Sequence, residues 1–121
     1  MTDLIFLLGV SFLLTHEMDA VRRREWRLLP GLSRIADDTR AFQWFTVLHV
    51  PLYLVLLWAI MAGDETGPNG TAIVWLNGFF VVHAVAHVVL YRHPRNQFRG
   101  ALSYVLIGGA GLCGAIGLLA G

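Results

Sequence analysis

The residues best suited to chemistry are two histidines, His83 and His87, which lie four positions apart in an apolar run over residues 71–91. On a helix this spacing places both imidazoles on one face, one turn apart, which suits two ligands of one metal ion. The run is long enough to cross a bilayer, where ionisable groups are costly unless they are paired or hydrated. The pair therefore predicts polar partners on neighbouring membrane helices.

The composition predicts a membrane protein. The chain has 121 residues, of which 56% are hydrophobic, and its mean hydropathy of +0.62 is high for a soluble domain. Its single cysteine, Cys113, excludes both an intrachain disulfide and a cysteine-based metal site. Nine basic residues nearly balance eight acidic ones, so no nucleic-acid partner is expected.

Four apolar stretches are each long enough to form a spanning helix. They cover about residues 4–21, 41–62, 71–91 and 101–120. This pattern predicts an all-α fold, a single transmembrane domain over residues 1–121 built as an antiparallel, up-down four-helix bundle. The first helix is expected to run on to about Leu28 and to end before Pro30. Asp37 or Asp38 is expected to cap the second helix.

The arginines predict the orientation. All nine basic residues are arginines, and they lie in the connections at residues 22–40 and 92–100, whereas the turn at 63–70 carries no positive charge. The positive-inside rule places both basic connections in the cytoplasm and both termini outside. The residues expected to contact anionic lipids of the inner leaflet are Arg22, Arg23, Arg24 and Arg27, with Trp26 at the interface.

Four histidines are predicted to share one depth in the membrane. Counted from the cytoplasmic helix ends, they lie roughly 7 to 13 Å below the boundary. The four are His16, His49, His83 and His87. Two carboxylates accompany them, because Asp19 lies one turn from His16 on nearly the same face and Glu17 points about 100° away.

This set of side chains predicts a metal site. Three imidazoles and a carboxylate suit zinc, and two imidazoles with a carboxylate suit iron. We expect His49, His83 and His87 to be ligands, with His16 as a fourth ligand or as a group that supports one.

The two carboxylates are expected to carry the catalytic roles. Asp19 would orient a ligand histidine through its second nitrogen, and Glu17 would act as general base on a metal-bound water. Such a site could hydrolyse a lipid ester or amide, or another apolar substrate, that enters from the inner leaflet.

Three other functions fit the same residues. His49 with His83 or His87 could supply both axial ligands of a b-type haem in an electron carrier. The buried histidines and carboxylates could instead form a relay for protons or metal ions, although the outer half lacks strong polar groups. An accessory subunit of a membrane complex, without chemistry of its own, is the third alternative.

The predicted fourth helix is rich in small residues. Gly109, Cys113 and Gly117 recur at four-residue intervals, as do Ala110 and Gly114. Small residues at this spacing let helix backbones approach closely in lipid. This surface is expected to pack within the chain or to join it to a homo-oligomer or a membrane complex.

Several short motifs are spread along the chain. They are Thr-His-Glu-Met-Asp-Ala at 15–20, Glu-Trp-Arg at 25–27, Leu-His-Val-Pro at 48–51, the pair His83 and His87, and His-Pro at 93–94. Together they resemble a family of small uncharacterised bacterial four-helix membrane proteins. The resemblance implies this fold and a multi-pass location in the bacterial inner membrane, and it brings no assigned reaction.

Two looser resemblances concern the histidines alone. Membrane proteins named for a His-x-x-Glu-Glu motif are similar, but here His16 is followed by Glu17 and Asp19. The arrangement of His83 and His87 resembles the ligand pairs of membrane zinc amidases of the alkaline ceramidase and adiponectin-receptor type. Those proteins have more helices, so the resemblance implies an analogous site and not a shared fold.

Overall fold

A computed structural model describes residues 2–63 and 70–121 of the chain. It contains four α-helices and, within the described residues, no strand. The helices are α1 at Thr2–Arg22, α2 at Asp38–Met61, α3 at Gly70–Val89 and α4 at Ala101–Ala120. Most of the turn predicted at 63–70, which carries no positive charge, lies outside the described residues.

Each helix is long and apolar enough to cross a membrane. The prediction of an all-α bundle of four spanning helices is therefore confirmed, and the chain is a multi-pass membrane protein. The cap of α2 is also as predicted. The Asp37 carboxylate accepts a hydrogen bond from the backbone N–H of Arg40 at 3.1 Å, which satisfies one of the free donors at the helix start.

The end of α1 differs from the prediction. The helix stops at Arg22 rather than near Leu28, because Arg24 adopts left-handed backbone angles of φ 53° and ψ 52°. This conformation costs a non-glycine residue about 1–2 kcal/mol. It turns the chain back beneath the bundle into a short 3-10 turn at Glu25–Arg27, whose Glu25 and Trp26 are buried. The reversal, which the sequence pattern did not reveal, places Glu25 under the helices.

The small residues of α4 are used inside the chain. A Cβ atom added at Gly111 would lie 2.6 Å from the Ala84 side chain, and one added at Gly114 would lie 2.6 Å from the Asn77 carbonyl oxygen. On another face, Gly109 packs closely against the Phe12 ring of α1. These contacts bring α4 close to α1 and α3. Association with a second copy or another subunit through α4 stays a prediction.

Two apolar clusters occupy the ends of the bundle. One cluster includes Phe6 and Phe80 and lies toward the end of the bundle that holds the chain termini. The other includes Trp26 and Phe98 and lies toward the opposite end, which holds the connections at residues 23–37 and 90–100. We call the second end the arginine end. The histidines of α1 and α3 lie between the two clusters along their helices. Apolar packing on both sides thus holds a polar layer inside the bundle.

Candidate metal centre

Four side chains converge in this layer. One atom from each of His16, Glu25, His83 and His87 lies within 4.8 Å of all the others. His16 comes from α1, His83 and His87 come from consecutive turns of α3, and Glu25 comes from the 3-10 turn. We call these four residues the His/Glu cluster.

The contacts in the His/Glu cluster form a closed ring. The Glu25 Oε2 atom lies 2.9 Å from His16 Nε2 and 3.3 Å from His87 Nε2. The His83 Nε2 atom lies 3.1 Å from both His16 Nε2 and His87 Nε2. All three imidazoles therefore present the same ring nitrogen to the centre of the cluster.

Separate hydrogen bonds cannot satisfy all four contacts of this ring, because the N–H groups of His16 and His87 would each have to be shared between Glu25 and His83. A neutral imidazole nitrogen holds either one proton or one lone pair, and an ionised carboxylate only accepts. Four separate hydrogen bonds would need four protons, but the three Nε2 atoms carry at most three. If all three carried one, the N–H of His83 would face two other N–H groups. A single cation at the centre would instead accept a lone pair from every member of the cluster.

The spacing also suits a four-coordinate ion. Zinc bonds nitrogen and oxygen ligands at about 2.0–2.2 Å, so tetrahedral ligand atoms lie roughly 3.3–3.6 Å apart. Four of the six separations between these ligand atoms run from 2.9 to 3.3 Å, and the other two are within 4.8 Å. The side chains thus lie close to an arrangement that would surround an ion of this size.

The charge on Glu25 fits the role of a ligand. Burial raises the pKa of the Glu25 carboxyl, but hydrogen bonds from His16 and His87 outweigh it and lower that pKa below its usual range. The group is therefore ionised at neutral pH. A metal ligand must be in this deprotonated form.

Aromatic rings hold the imidazoles in place. The Phe98 ring lies 4.6 Å from the His87 ring and 5.5 Å from the His16 ring, between centroids, and the Phe79 ring lies 5.6 Å from that of His83. Phe98 is itself fixed because its backbone N–H donates to the Asn96 side chain. The His16 Nδ1 atom is buried and has no hydrogen-bond partner among the described residues. His16 is thus held by packing and by its Nε2 contacts.

His49 and Glu17 form a separate pair on another face of α1. The His49 Nε2 atom lies 2.5 Å from Glu17 Oε2, and its Nδ1 atom lies 2.6 Å from the Phe45 carbonyl oxygen. The Nδ1 atom donates to the Phe45 carbonyl, and one proton between Nε2 and the Glu17 carboxyl satisfies the other contact. The structure therefore brings together three of the four predicted histidine ligands, and it places His49 with the predicted general base.

Asp19 joins α1 to α4. Its two oxygens accept hydrogen bonds from Ser103 Oγ at 2.5 Å and from Arg23 Nε at 3.2 Å. No described contact links its carboxylate to a histidine. Asp19 thus lies next to the His/Glu cluster along α1, and its bonds fix the position of the helix that carries His16.

The predicted lipid-contacting residues divide into two groups. Arg22 and Arg24 are exposed at the arginine end. Trp26 is only 4% exposed, and its indole N–H donates to Asp38. Arg27 also donates to Asp38, at 2.6 Å from Nη2. These last two residues therefore fasten the first connection to α2, whereas lipid contact of the exposed arginines stays a prediction.

Glu25 is the site residue that sequence reasoning missed as a ligand. It lies among six arginines in a connection, where a carboxylate is expected to face water. Its only signal was its place in the Glu-Trp-Arg motif. The backbone reversal at Arg24 brings it to the histidines.

The fold and the site together define a class: a four-helix membrane protein with three histidines and a glutamate gathered inside the bundle. The model of the family described as "Family of unknown function (DUF6713)" matches residues 2–121, so the chain belongs to that family. This confirms the prediction of an uncharacterised family, whereas the bacterial origin stays a prediction. No curated protein and no solved structure matches the chain.

Proposed function

We propose that this protein is an integral membrane metalloprotein that binds one divalent transition-metal ion through His16, Glu25, His83 and His87. One observation carries the proposal: three Nε2 atoms and a carboxylate oxygen converge from three separate segments, with more contacts than separate hydrogen bonds can satisfy. Intramembrane ionisable groups are costly, and such groups usually mark functional sites.

Zinc is the ion that the His/Glu cluster suits best. Structural zinc sites are four-coordinate and tetrahedral, and they accept histidine nitrogen and carboxylate oxygen. Iron in non-haem sites is commonly held by two histidines and one carboxylate with open positions. The third histidine of the cluster therefore favours zinc over iron.

A metal ion also fits the cluster better than a b-type haem does. Two axial ligands lie on opposite faces of a haem, so the macrocycle must pass between them. The His83 Nε2 atom is only 3.1 Å from the same atom of His16 and of His87. These neighbouring rings leave no space for the macrocycle.

The geometry supports hydrolysis of a lipid ester or amide less directly than it supports metal binding. Catalytic zinc sites keep one position for water, and Glu25 lies where a fourth ligand would bind. The predicted general base, Glu17, is bonded to His49. A hydrolytic water would need either a fifth coordination position or the release of Glu25. The geometry therefore supports metal binding more directly than it supports hydrolysis.

We place the arginine end in the cytoplasm and both termini outside. The support is that every arginine lies at that end, either in a connection or in the helix turn next to one. In this orientation the His/Glu cluster lies in the half of the bundle nearer the cytoplasm. The protein would then be a multi-pass protein of the cell membrane.

The test is the metal content of protein purified in detergent without chelator or affinity metal. Elemental analysis is expected to find about one zinc or iron per chain, with no Soret band in the visible spectrum. His83→Ala and His87→Ala should lose the ion. His93→Ala is the matched control, because His93 accepts from the backbone N–H of Arg95 outside the cluster. Equal metal content in the three variants would refute the proposal.

A further inference from the structure

A groove leads from the surface of α3 to the His/Glu cluster. Its volume is about 220 Å³, and its walls include Glu25, His83 and His87. The remaining wall residues are apolar: Leu28, Leu29, Phe79, Val82, Ala86 and Leu90. His16 lies behind them and is only 1% exposed. The groove therefore gives access to the candidate ligands from the side of the bundle.

The groove is placed to receive an acyl chain. It extends along α3 from Phe79 to Leu90, and the part between His83 and Phe79 covers roughly 6 Å at the rise of an α-helix, so the rest of an acyl chain would continue among the lipid tails. Val82 is 67% exposed, and in a spanning helix that surface faces lipid tails. An apolar chain can thus enter from the bilayer without crossing water.

The charge of the centre selects the head group. A divalent ion bound by three neutral imidazoles and one carboxylate keeps a net charge of +1. In an apolar setting this charge attracts an anion strongly. An added oxygen ligand takes either a fifth coordination position, as catalytic zinc sites can provide, or the position of Glu25 after that residue is released.

We propose that the metal centre binds a long-chain carboxylate, with its head group on the ion and its tail in the groove beside Phe79 and Val82. This inference rests on the proposed function, because the attracting charge belongs to the bound metal. It names the ligand class of the same site, a fatty-acid anion.

The experiment uses the full chain, loaded with cobalt in place of zinc, in phosphatidylcholine nanodiscs. The visible absorption of cobalt reports its coordination, and palmitate is titrated against it. Hexadecanol has the tail without the carboxylate, and acetate has the carboxylate without the tail. Palmitate is expected to shift the spectrum at roughly ten-fold lower concentration than acetate, and hexadecanol is expected to leave it unchanged.

Two variants locate the tail. Ala86→Phe fills the groove without removing a ligand, and it should weaken palmitate binding roughly ten-fold. Val85→Phe adds the same ring to an exposed position of α3 that does not line the groove, and it should bind palmitate normally. Equal effects of the two variants would overturn the assignment of the groove.

The outcomes separate the two proposals. If cobalt binds and palmitate leaves its spectrum unchanged, the fatty-acid inference fails and the metal centre stands. If cobalt does not bind, the proposed function fails, and the inference fails with it.

Discussion

Two groups of histidine and carboxylate lie on different faces of α1, and they are built differently. His16 belongs to the His/Glu cluster, whereas its neighbour in sequence, Glu17, pairs with His49. In the pair, one imidazole meets one carboxyl group, and one proton in each contact satisfies both atoms. In the cluster, three imidazoles share one carboxylate, and separate hydrogen bonds cannot satisfy every contact. The number of nitrogens for each carboxylate, and not the residue types, therefore distinguishes a candidate metal centre from an ion pair.

The two groups also differ in what surrounds them. The His/Glu cluster joins α1, α3 and the 3-10 turn, and Phe98 packs against two of its rings. The pair joins α1 to α2, a helix with many exposed apolar side chains. It lines a groove of about 360 Å³ between those helices. The cluster is thus the more enclosed of the two, as a site that binds an ion tightly should be.

The largest effect is expected when the carboxylate of each group is neutralised in turn, which tests directly whether the two groups differ in metal binding. Glu25→Gln keeps the side-chain size and removes the charge from the cluster, so metal affinity should fall roughly 100-fold or more, about 2.7 kcal/mol. Glu17→Gln should leave it within about threefold. Competition with a chromogenic chelator measures both constants. If Glu17→Gln weakened binding as much as Glu25→Gln, the division between the two groups would be wrong.

Removing the imidazole of the pair should affect stability rather than metal binding. His49→Ala leaves the buried Glu17 carboxylate without its partner, which should lower the free energy of unfolding by about 2 kcal/mol. Thermal unfolding in detergent gives the change, and elemental analysis should still find the metal. Loss of the ion from this variant would return His49 to the set of ligands.

The smallest effect is expected next to the cluster, at the bond between α1 and α4. Ser103→Ala removes the donor to Asp19, and hydrogen bonds between membrane helices contribute about 0.6–1.7 kcal/mol. Unfolding should become easier by that amount, while metal affinity stays unchanged because Ser103 does not belong to the cluster. A large loss of metal affinity would instead show that Asp19 holds His16 in its binding position.

The sequence alone determined the features that depend on distance along the chain. Hydropathy located four spans, because crossing lipid needs about 20 apolar residues. The helical rise gave His16, His83 and His87 a common depth, and these three residues do meet. The cap at Asp37 could also be predicted from the sequence, because its hydrogen bond is local.

Only the tertiary structure decided how each helix is rotated about its axis and where the chain turns back. Lipid-facing and buried surfaces of these helices are both apolar, so hydropathy does not define a direction for the histidines. The rotation of the helices about their axes separates His49 from the other imidazoles and pairs it with Glu17. The left-handed conformation of Arg24 has a local cost, which the burial of Trp26 and the contacts of Glu25 with His16 and His87 offset. The fourth member of the cluster therefore depends on contacts between distant segments, which the linear pattern does not encode.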